Sequence, residues 1–184
     1  MKPTLLTLGT LSLALVLATT HSPAAPSTST EPATATPVPY HCQVPCGIYG
    51  DKMRIDMLME ESATIAKAMK LIETIEGKEG FNRNQMVRWI MTKEEHASMI
   101  QETVSSYWLA QRVKAPADRN DTAAMAEYHL QLELMHGITV SAMKCKQTIE
   151  SSHVDRIRDL AKQFSATYFS AEDQKHLNEH TFGE

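Results

Sequence analysis

The chain has 184 residues, 22% of them charged, and a formal net charge of −4 at neutral pH. No basic patch dominates, so nucleic acid is not an expected partner. Residues 1–40 do not read as part of a fold. Lys2 supplies a short positive start, and Leu5 to Leu17 is an apolar run broken only by Thr, Gly and Ser. That length suits a secretory signal and falls short of a membrane span. Ser22-Pro23-Ala24 and Ala33-Thr34-Ala35 are small-residue cleavage candidates, and residues 22–39 are rich in Pro, Ala, Ser and Thr without apolar periodicity. Such a composition buries too little surface to order itself. The segment is read as a signal peptide and pro-linker that are removed, the alternative being an uncleaved membrane anchor. Removal of 40 of the 184 residues leaves 144, enough for one ordinary domain. The lost segment carries one Lys and one Glu, so the net charge is unchanged. No second apolar run of spanning length follows, so the mature form is expected to lack a membrane segment and to be periplasmic or extracellular. The cleavage signals alone do not fix the cut.

Residues 41–49, His41-Cys42-Gln43-Val44-Pro45-Cys46-Gly47-Ile48-Tyr49, concentrate the chemistry. If His41 is the mature terminus, its amine nitrogen and the Cys42 amide nitrogen close one chelate ring. The Cys42 amide and its own sulfur close a second, fused ring. Cys46 returns through the Val44-Pro45 turn as a fourth donor, and the His41 ring can add an axial one. Planar nitrogen and sulfur coordination suits Ni(II) or Cu(II), whereas zinc favours tetrahedral sites. Anionic sulfur and amide donors also lower the cost of a higher oxidation state. A plain Cys42–Cys46 disulfide is the competing reading in an exported chain.

Beyond the hook the periodicity is helical nearly throughout, and four helices are expected. The first runs from about Asp51 to Glu76, with Ile55, Leu58, Ser62, Ile65, Met69, Ile72 and Glu76 in one stripe, apolar at most positions, and Gly77 and Gly80 ending it. The second runs from about Asn84 to Val113, its inner face built from Met86, Ile90, Ala97, Ile100, Val104, Tyr107 and Trp108. The third runs from about Asp121 to Ile149 on Met125, Tyr128, Met135, Ile138, Ala142, Cys145 and Ile149. The fourth begins at Ser152 as cap, with Asp155 as its capping-box partner, and is lined by Val154, Ile157, Ala161, Phe164 and Tyr168. Short links between long helices favour antiparallel neighbours, so residues 50–184 are expected to form an all-α, up-down antiparallel four-helix bundle carrying the N-terminal metal-binding hook of residues 41–49. The Met-rich stripes read as core, and Cys145 as a buried small hydrophobe.

The run H-C-x-x-P-C-G-x-Y from His41 to Tyr49 resembles the hook motif of nickel superoxide dismutases at every fixed position. Arg54-Ile55-Asp56 and Lys93-Glu94-Glu95-His96 extend the resemblance, with Val104, Ser105 and Trp108 downstream. The resemblance implies a four-helix bundle assembled into hexamers and one nickel per subunit. The ligands it implies are the His41 amine and imidazole, the Cys42 amide and thiolate, and the Cys46 thiolate. It implies that the metal alternates between Ni(II) and Ni(III), taking superoxide to O2 and to peroxide. Tyr49 would gate access, Pro45 would set the hook's turn, and Asp56 would hold the axial imidazole. His96 stands where the family has an arginine behind that imidazole, and histidine, unlike arginine, changes charge near neutrality. Gln43 replaces an acidic residue. The second gating tyrosine falls near Gln111, so it is missing or replaced by Tyr107. Maturation implies a processing protease.

His129 and His136, seven residues apart, suggest surface or interface positions. His153, His176 and His180 are expected to be solvated, and Glu60-Glu61 and Glu94-Glu95 to be solvated helix faces. Two readings compete with a dismutase. One is a non-enzymatic exported nickel or copper carrier using the same chelate, which would exchange metal without turnover. The other is a disulfide-stapled helical interaction domain.

Overall fold

A computed structural model describes residues 43, 45, 47–80 and 82–170. The expected signal peptide and pro-linker (1–40), and the residues His41, Cys42, Cys46, His176 and His180, lie outside the described residues. The described elements are α1 (Asp51–Glu76), α2 (Arg83–Glu102), a π-helical continuation of α2 (Thr103–Arg112), α3 (Thr122–Gln147) and α4 (Ser152–Tyr168). Among the described residues there is no strand. None of their helices is long and apolar enough to cross a membrane.

α1 keeps the expected bounds, but Glu76, expected at the end of the inward stripe, is exposed. Asp51 opens it, where the helix dipole favours a negative charge, and the chain leaves it through Gly77 and a left-handed Gly80 (φ +67°). Its buried positions are Ile55, Leu58, Ser62, Ile65, Ala68, Met69 and Ile72. The buried Ser62 hydroxyl donates to the Met59 carbonyl at 2.7 Å and accepts from Arg158 Nε at 3.0 Å, so it costs little within an apolar stripe. α3 starts where Asp121 accepts from the amides of Ala123 and Ala124, both at 3.0 Å.

Contacts between elements fix the topology. Asp51 meets Arg112, and Glu61 meets His96, so α1 runs against α2 and its continuation. Lys93 meets Cys145 and Lys146, and Gln101 meets Thr139, so α2 runs against α3. Ser62 meets Arg158 and Asp51 meets Tyr168, so α4 closes the ring antiparallel to α1. α3 and α4 approach closely at Gly137, where a Cβ would lie 2.9 Å from Leu160 Cδ1. The core centres on Trp108, Tyr107 and Phe164 with Leu58, Ile65, Met69, Met135 and Ile157 around them.

Four expectations shift. Ile90, expected inside, is 40% exposed, and Met86 is only half-buried. Lys93 occupies the inner face instead, donating to the carbonyls of Cys145 (2.7 Å) and Lys146 (2.6 Å). The last carbonyls of α3 have no intrahelical partner, and a buried ammonium satisfies them. α3 therefore ends at Gln147 and not at Ile149, which packs on the core from outside the helix. The cap of α4 is Ser151, without a side-chain cap bond; backbone amides of Val154 and Asp155 donate to the Ser151 carbonyl (2.9 and 3.1 Å). The second helix also does not stay α-helical to Val113, a change that matters for the site.

Cys145 lies fully buried, as expected. Burial pushes its thiol up to about 11, against the opposing pull of Lys93. Alkylation of the folded chain at pH 8 followed by peptide mapping is expected to leave Cys145 unmodified until denaturant is added. Rapid labelling of the folded chain would contradict this burial.

Candidate metal centre

The leg that carries the hook enters the bundle at the start of α1. Gly47 adopts φ +79°, a left-handed conformation that a side chain would strain and glycine accepts, so the backbone can reverse after Cys46. Gln43 and Pro45 are half-buried, and Ile48 is 83% exposed. Tyr49, 39% exposed, lies against the bundle. The Arg112 guanidinium carbon sits 4.2 Å from the centroid of its ring, and Tyr107 meets it edge-on at 5.9 Å and 80°.

Behind these rings stands a carboxylate that sequence reasoning did not single out. Asp51 Oδ1 accepts from Tyr107 Oη (2.6 Å) and Arg112 Nε (2.8 Å), and Oδ2 accepts from Arg112 Nη2 and from Tyr168 Oη (2.9 Å). One acid at the N-terminus of α1 thus accepts four hydrogen bonds from three side chains of the π-helix and α4. Burial alone would raise its pKa, but the Arg112 and tyrosine hydrogen bonds outweigh it and hold Asp51 below the usual carboxylate range. Burial, with the bond to Asp51, pushes Tyr168 up to about 12 and Tyr107 higher still.

The π-helix makes this possible. Tyr107 and Arg112 are five residues apart. In an α-helix that spacing separates side chains by about 140°. A π-helix bonds i to i+5, so the two stand on one face. The segment closes with the Val113 amide donating to the Trp108 carbonyl at 2.8 Å. Arg54, from α1, lies over the other part of this cluster, its guanidinium carbon 4.9 Å from the Tyr107 ring centroid. Among the described residues its buried Nε has no hydrogen-bond partner, and the buried indole N–H of Trp108 has none either.

The remaining expected site residues distribute as follows. Asp56 pairs with Lys52 one turn earlier (2.9 Å). His96 Nδ1 is bonded to the Glu61 carboxylate, so Glu61, expected on a solvated face, is instead a half-buried partner. Among the described residues Asp56 and His96 do not bond to one another. Tyr107 contacts Tyr49 through its ring, but its hydroxyl is committed to Asp51. Gln111 is buried and donates through Nε2 to the Ser106 carbonyl at 2.8 Å. His129 and His136 are exposed, as expected; His153 is half-buried beside Glu150 (3.5 Å), which departs from the solvated position expected. Among the described residues no three His, Cys, Asp or Glu side chains are grouped so as to hold a metal. The donors of the hook fit nickel by their chemistry, combining soft thiolates with nitrogen.

Among the described residues, fold and site define a class, a helical bundle entered through a short irregular leg whose Tyr49 lies against an aromatic and guanidinium cluster. The family model for nickel-containing superoxide dismutase matches residues 33–172, and the chain belongs to that family. It is therefore an oxidoreductase that acts on superoxide with a nickel cofactor. Comparison with curated proteins and with solved structures gave no significant match.

Proposed function

We propose that the protein is exported, is cut before His41, and disproportionates superoxide to O2 and hydrogen peroxide with one nickel ion per subunit. The match to residues 33–172, which spans the whole hook, carries this reading. His41 would hold the metal through its amine and imidazole, Cys42 through its amide and thiolate, and Cys46 through its thiolate. A nickel ion held by these donors would supply, through the Ni(II) and Ni(III) states, the one-electron chemistry with superoxide. The chain supplies the rest. Pro45 and Gly47 set the turn that returns Cys46 toward Cys42, and the hook's N–H groups attract a small anion. Arg54 adds positive charge near the leg, whereas the charge of Arg112 is matched by Asp51. Tyr49 limits access. Asp56 and His96 are assigned to the hydrogen-bond network behind the His41 ring, with Glu61 orienting His96. The family resemblance supports a hexamer, and the removal of residues 1–40 requires a protease.

N-terminal sequencing, intact mass and metal analysis on one natively produced sample test this. The expected result is a terminus at His41 with about one nickel per chain. A different terminus, or a metal-free chain lighter by the two hydrogens of a disulfide, would favour a stapled helical domain. Stoichiometric nickel without superoxide turnover would favour a carrier.

A further inference from the structure

We propose that Arg112 is the positioning residue of Tyr49: it fixes the phenol ring at the mouth of the hook by stacking on its face while Asp51 locks the guanidinium plane. The assignment of Tyr49 to the mouth rests on the dismutase reading; the positioning itself rests on contacts within the bundle. Tyr49 belongs to an irregular leg, follows an 83% exposed Ile48, and is itself 39% exposed. No helix backbone fixes it. Among the described residues its ring neighbours are Arg112, whose guanidinium carbon lies over the ring at 4.2 Å, and the Tyr107 ring, T-shaped to it at 5.9 Å between centroids. Arg112 is in turn held on both oxygens of Asp51, a two-pronged pairing that fixes the orientation of the fork as well as its place. Tyr107 and Tyr168 fill the remaining acceptor positions of that carboxylate, so it cannot swing away. The bundle's rigidity therefore reaches the ring on the irregular leg through one guanidinium. A lysine at this position would keep the charge but have neither plane nor fork.

This separates positioning from simple attraction of an anion. If Arg112 served only as a positive charge, Arg112→Lys would restore function lost in Arg112→Gln. The proposal expects the opposite: both variants lower turnover by about tenfold to a hundredfold at unchanged nickel content, the larger figure being the scale of a 1 Å misplacement near a reacting centre. A readout independent of activity accompanies this, the fluorine NMR signal of Tyr49 in the mature chain labelled with 3-fluorotyrosine. The signal is expected to move and narrow in both variants, with and without nickel, as the ring is released. A third variant covers the case in which Arg112 substitutions do not fold. Tyr49→Leu leaves the Asp51 anchor intact, and the Arg112 side-chain protons are then expected to lose an upfield ring-current shift. Rescue of turnover by lysine, an unchanged Tyr49 signal, or unshifted Arg112 protons in Tyr49→Leu would each overturn the proposal. A wild-type chain without nickel or turnover would count against the dismutase reading, and the ring signals would still decide the role of Arg112.

Discussion

Replacing Cys42 or Cys46 with serine is expected to abolish redox-active nickel binding and reduce superoxide turnover to background while the bundle melts at an unchanged temperature. A thiolate is a soft, strongly donating ligand, and a serine hydroxyl is neither soft nor ionised at neutral pH. The stability of the bundle does not depend on the leg, because the buried set runs from Ile55 to Phe164. His41→Gln, which keeps the terminal amine and removes the imidazole, is expected to retain the fold and some nickel while depressing activity. Metal analysis, superoxide decay and thermal melting on the same preparations separate these effects. Full turnover in either serine variant would sink the hook as the metal site.

Asp51→Ala is expected to cost about 3 kcal/mol of stability, since it leaves a largely buried guanidinium and two phenols without their shared acceptor. Asp51 is only 18% exposed in its side chain, so water replaces the carboxylate poorly. The pH dependence carries a sharper signature. A carboxylate held below its ordinary value of 3.8 contributes stability that is present above that value and is lost as pH falls through the lower folded value. A phenol raised from 10.0 to about 12 contributes stability that is present below pH 10 and is lost as pH rises toward 12. Urea midpoints of the wild-type chain are thus expected to fall below pH 4 and between pH 10 and 12. Asp51→Ala should flatten the acid limb and reduce the alkaline one. Equal slopes in the two proteins at both ends would remove Asp51 from the role assigned to it.

What was legible in the sequence follows from what makes a local signal. The extent of α1 is legible because Gly50 and Gly77 bracket a stripe, apolar at most positions, from Ile55 to Ile72. The inward turn of Lys93 was not, because its partners are carbonyls at the end of another helix and leave no mark in the residues around it. For the same reason Glu61 reads as half of a solvated acidic pair until α2 places His96 against it. The Asp51 anchor is hidden for a different cause. An α-helical count puts Tyr107 and Arg112 on different faces, and only the π-helix unites them. The donor set proposed for the hook, by contrast, rests on the sequence alone, as chemistry and as a motif, since its residues are neighbours in the chain.

That π-helix also bears on how such chains can change length. Residues five apart in a π-helix and four apart in an α-helix both share a face. Deleting one residue between Tyr107 and Arg112 could therefore return the segment to ordinary α-geometry and still leave phenol and guanidinium side by side. A sequence alignment would score such a change as a gap beside a mismatch, although the pair that grips Asp51 would be the same in space. Insertions and deletions in this stretch are best compared by which donors reach the carboxylate, because here a change in residue count and a change in architecture are separate events.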